Sequence, residues 1–72
     1  MANRKQQIKK IQNKAEELLQ DVEELISELE DAFENMPESI QYGEKGDRAQ
    51  ERIDMLGTWR DSLSEIVEEE EV

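Results

Sequence analysis

The chain of 72 residues carries 20 acids against nine bases, a net charge of −11, with no cysteine and no histidine. That length allows one domain that buries only about 60% of its unfolded surface, and the composition excludes disulfides, thiolate metal sites and the commonest acid–base group. The acidic balance disfavours ordinary binding to nucleic acid or to an anionic membrane, which leaves self-association as the way to enlarge a small core.

Charge is segregated along the chain. Residues 1–15 hold five bases (Arg4, Lys5, Lys9, Lys10, Lys14) and no acid, residues 16–38 hold ten acids and no base, and residues 61–72 hold six acids and no base. Beneath this pattern, Ile8, Ile11, Ala15, Leu18, Val22, Leu25, Leu29, Ala32 and Met36 recur at alternating spacings of 3 and 4. Such spacing is an a/d heptad. Leu19, Ile26 and Phe33 add a third column, and the resulting stripe is wide enough for more than one partner helix. No glycine or proline interrupts it before Pro37. A first helix is therefore predicted over about residues 3–35, roughly 50 Å long.

Pro37 cannot continue the helical hydrogen bonds and pushes Met36 away from helical dihedrals. Asn35 followed by Glu38 reads as a capping box with Pro37 in its first turn, so a short helical turn is expected at 36–41. Gly43 and Gly46 then bracket a polar loop, giving a turn over 36–46. Asp47 with Gln50 reads as a second capping box, opening a second helix over about 47–69. Ile53, Leu56, Leu63 and Val67 form one apolar edge of this helix; Met55, Trp59 and Ile66 form the other, with Leu56 and Leu63 shared between them. Gly57 falls on its polar side. The glutamates from residue 68 onward oppose the negative end of the helix dipole and mark its end.

A short connection makes the two helices antiparallel. The expected fold is all-α, a single helical-hairpin domain over 1–72 that dimerises into a four-helix bundle. Folding back near residue 41 sets residue 70 opposite about residue 12, with Glu68 to Glu71 beside Lys9, Lys10 and Lys14. Leu18, Leu25, Leu29, Leu56 and Leu63 are expected in the core. Ile8 and Ile11 are expected on an overhang of the first helix. With Met55, Trp59 and Ile66 they form the expected self-association surface of a C2 dimer. Arg48, Arg52 and Arg60 are expected to pair with Glu30, Glu34 or a second chain.

No catalysis, metal or cofactor is expected. The acid pairs Glu17/Asp21, Glu24/Glu28 and Glu30/Glu34 fall on solvent-facing positions rather than in a pocket that raises a carboxyl pKa. Ser27, Ser39, Thr58, Ser62 and Ser64 have no basic partner to activate them. No apolar run approaches the length of a membrane span, and the basic start lacks a signal-peptide core. A cytoplasmic location is expected.

The turn Phe33, Asn35, Met36, Pro37, Glu38, Ser39 and Gln41, with Ile40 in place of leucine, resembles a segment of small uncharacterised proteins from phages and mobile elements of Firmicutes. These are acidic helical hairpins, and the resemblance implies a phage or mobile-element origin.

The expected function is protein–protein interaction. The partners are a second copy and a host or phage protein with a basic surface. In its sharper form this is an acidic inhibitor whose carboxylates, at Glu16, Glu17, Glu23, Glu24, Glu30 and Asp31, occupy a cleft meant for nucleic acid. The alternatives are a self-assembling scaffold and weak nucleic-acid binding through the basic N-terminal arm.

Overall fold

The computed structural model describes residues 3–70. It is all-helical: α1 (Arg4–Glu34), α2 (Glu38–Gln41) and α3 (Glu44–Glu68), with α1 and α3 packed together. The molecule is a rod of 60 × 16 × 15 Å, two helices thick at most. No helix is long and apolar enough to cross a membrane.

Asn3 starts α1. Its Oδ1 accepts hydrogen bonds from the backbone N–H groups of Lys5 and Gln6, at 3.1 and 3.3 Å. This satisfies two of the donors a helix start leaves free. The helix ends at Asn35, whose N–H donates to the Asp31 carbonyl. Pro37 then stands extended at φ −57° and ψ 148°. Its carbonyl accepts from Ile40 and Gln41 at 2.9 and 3.0 Å, and α2 forms on that acceptor. The expected capping box at Asn35 and Glu38 is therefore absent. Asn35 closes α1, and Pro37 precedes α2 without a side-chain cap.

α3 begins at Glu44 rather than near residue 47. Gly43 precedes it without a side-chain cap, and Glu44 and Asp47 place negative charge in its first turn. That favours the positive end of the helix dipole and removes the expected Asp47–Gln50 box. Gly46 is correspondingly not in a loop. It is buried inside the first turn of α3, against the backbone of Gln41. Gln41 in turn donates from Nε2 to the Phe33 carbonyl at 3.0 Å, tying the corner to the end of α1.

The core lies along the seam. Ala15, Val22, Ile26 and Leu56 are its buried members, and Leu29, Ile53 and Leu63 pack partly buried against Val22, Ile26 and Leu56. Leu19, Phe33, Met36 and Val67 are half-buried. The columns of α1 that turn inward are thus Ala15/Val22/Leu29/Met36 and Leu19/Ile26/Phe33. This corrects the expected core: Leu18 and Leu25 are 52% and 43% exposed. Three adjacent columns of α1 are apolar, and one helix can cover only two of them.

Gln12 fixes the register at the open end. Its Nε2 donates to the carbonyls of Ile66 at 3.0 Å and Glu69 at 2.7 Å, satisfying acceptors that the end of α3 leaves free. Lys5, Ile8, Lys9 and Gln12 line a groove with Val67, Glu68, Glu69 and Glu70. Ile8 therefore stands opposite the end of α3 instead of on an overhang. Lys5 and Lys9 share this groove with the acids, but Lys10 and Lys14 do not line it; Glu71 lies outside the described residues. Among the described residues, the ion pairs are Arg48 with Glu44 at 3.6 Å and Arg60 with Asp61 at 3.4 Å. Arg48 and Arg60 are thus paired locally, not with Glu30 or Glu34.

Candidate interaction face

Ile8, Ile11, Leu18, Leu25, Met55, Trp59 and Ile66 each leave between 39% and 61% of their surface open. Sequence position places them in two columns. Ile11, Leu18, Leu25 and Ala32 are seven apart on α1. Residues 52, 55, 59 and 66 on α3 are separated by three, four and seven, again one helical face.

Both columns border the same side of the seam. Ala32 of α1 lines a concavity with Arg48, Ala49 and Arg52 of α3, over a floor that includes Leu29 and Met36. Arg48 and Arg52 also border Met55 in the adjoining concavity. From there the two columns run together toward the open end. Because Val22 and Ile26 pack with Leu56 while Gln12 meets Ile66 and Glu69, Leu25 stands level with Met55, Leu18 with Trp59 and Ile11 with Ile66. The result is a continuous apolar face along most of the rod, with Lys45, Arg48 and Arg52 at its corner end.

The structure therefore brings Ile11, Met55, Trp59 and Ile66 onto one face, with Ile8 partly exposed at its end. Leu18 and Leu25 join them, although sequence reasoning placed both in the core. Gln12 and Gly46 were also missed. A glutamine at a seam position was the available signal for the first; the second had none, since glycine near a helix start reads as loop punctuation.

The candidate acids stand elsewhere. Glu16, Glu23 and Glu30 form one exposed column of α1, and Glu17, Glu24 and Asp31 form the next. Neither coincides with the seam columns nor with the column of Leu18 and Leu25. Among the described residues, no group of three acids converges as a metal ion requires. No family model, curated protein or solved structure matches the chain.

Proposed function

We propose that the protein acts through protein–protein contact and that its first partner is a second copy, two hairpins closing face to face into a four-helix bundle. The observation that carries this reading is the one-sided apolar face of Ile11, Leu18, Leu25, Met55, Trp59 and Ile66. Its size fits. The chain exposes 6188 Å² at a mass of 8.5 kDa, about 1,500 Å² more than a compact monomer of that mass. A stable interface buries about 800 Å² per partner, so the excess is ample. Trp59, in the middle of the face, has the character of an interface anchor.

Light scattering is expected to give twice the chain mass of 8.5 kDa at micromolar concentrations. Trp59→Ala is expected to weaken the dimer about 30-fold, the consequence of losing one anchor side chain, with helix content unchanged in circular dichroism. A wild-type monomer throughout the micromolar range overturns the reading.

The bundle leaves both acidic columns of α1 outside, and this favours a second reading for the assembled protein: capture of a host protein with a basic, nucleic-acid-binding surface. A phage or mobile-element origin, which the turn at Phe33 to Gln41 supports by resemblance, is compatible with such a target. Replacing Glu16, Glu17, Glu23 and Glu24 with glutamine is expected to preserve the dimer mass and abolish that capture, while wild-type capture weakens steeply with salt. Capture of the same proteins by wild type and variant rejects this reading and leaves the self-assembling scaffold.

A further inference from the structure

We infer that the two hairpins pair head to tail, the corner end of each against the open end of its partner. This orientation rests on the self-association proposed above and adds the direction of the partner. The charges bordering the face include Lys14, Asp21 and Glu28 on α1 and Arg48, Glu51, Arg52 and Glu69 on α3, Arg48 being paired with Glu44. Both signs lie along the face, so the distribution of net charge decides.

That distribution is uneven. Residues 21–57, which form the corner half of the rod, hold twelve acids and three bases; residues 3–20 and 58–70, which form the open half, hold seven acids and six bases. The corner half thus carries a charge of −9 and the described open half −1. Pairing two hairpins corner to corner stacks both −9 halves across helices about 10 Å apart, a distance at which physiological salt screens only part of the repulsion. Head-to-tail pairing sets each −9 half against a −1 half. It also places the acidic end of the partner's α3 over the cationic concavity of Lys45, Arg48 and Arg52, whose apolar lining of Leu29, Ala32, Met36 and Ala49 suits a helix end that carries Ile66 beside its glutamates. The face permits this register on α1, where Leu18 lies seven residues from both Ile11 and Leu25; on α3 Trp59 lies seven residues from Ile66 and four from Met55, so the two ends match there to within about one helical turn. A twofold axis at Leu18 superposes one apolar end on the other.

The chain has no cysteine, so one introduced thiol reports alone. Tyr42, 85% exposed at the corner, is replaced by cysteine and carries a nitroxide label; the mass comes from light scattering and the distance from double electron–electron resonance. In a head-to-tail dimer the two labels stand at opposite ends. Each is roughly 20 helical residues from the axis, giving an expected separation of about 60 Å. A dimer with labels closer than about 30 Å overturns the orientation and leaves self-association standing. A monomer mass overturns both.

Discussion

Replacing Leu56 by alanine is expected to cost the hairpin about 3 kcal/mol. Leucine-to-alanine changes in cores cost about 2–5 kcal/mol, the lower values arising where neighbours can close the space. Leu56 is 5% exposed and meets Val22 and Ile26 across the seam. The core is only two helices thick, so some collapse is available and the middle of that range applies. A loss of about 3 kcal/mol changes the folded-to-unfolded ratio about 150-fold. The whole stability of a chain this size is roughly 4–11 kcal/mol, so the loss is a large part of it. Leu18→Ala is the control. The residue type is the same, but its 52% exposure leaves less area to lose, and at concentrations too low for association it is expected to cost under about 1 kcal/mol. Urea titrations of both variants in dilute solution measure the difference. Equal losses would put Leu18 in the seam and remove the apolar face on which self-association rests.

That pair of leucines also marks the limit of what the sequence discloses. The two long helices and the break at Pro37 were legible because a 3-4 spacing without glycine or proline has one physical solution, and proline has one effect on it. Which columns turn inward was not legible. Leu18 and Leu25 match Leu19 and Ile26 in apolar character, and a stripe three columns wide fits two rotations of the helix. The choice follows from the corner, where Gln41 holds Phe33 by its carbonyl, and from the open end, where Gln12 reaches the last carbonyls of α3. On α3 Met55, Trp59 and Ile66 could be told apart from Ile53 and Val67, although Leu56 and Leu63 read as shared by both edges. Hence the large exposed apolar residues were expected at Met55, Trp59 and Ile66 on α3, and on α1 only at Ile8 and Ile11 near its end. The acidic columns were legible in full, since charged heptad positions have nowhere to go but solvent.

Gly46→Ala is expected to destabilise the protein by about 2–3 kcal/mol, in the range of substitutions that overfill a packed site. At an ordinary helical position the same change stabilises by up to about 1 kcal/mol, because alanine loses less backbone freedom than glycine. The sign reverses because of what the new methyl meets. A Cβ on Gly46 collides with the Gln41 carbonyl oxygen and comes within 2.8 Å of the Gln41 Cα. These are backbone atoms and cannot swing aside. Gln41 is held from two directions, by its N–H on the Pro37 carbonyl at 3.0 Å and its Nε2 on the Phe33 carbonyl at 3.0 Å. Relief therefore requires α3 to move away from α2, which opens the corner and changes the angle at which α1 and α3 present their apolar columns. Gly57 lies in the same helix and supplies the contrast: a Cβ there meets nothing closer than an Arg60 guanidinium nitrogen at 3.9 Å. Gly57→Ala is accordingly expected to raise the melting temperature while Gly46→Ala lowers it, both read in thermal melts followed by circular dichroism. The Gly46 variant is also expected to dimerise more weakly, as its two apolar columns splay. If Gly46→Ala matches Gly57→Ala in sign, the close approach of α3 to α2 does not set the corner. The alignment of the two apolar columns must then come from the seam and from Gln12 alone.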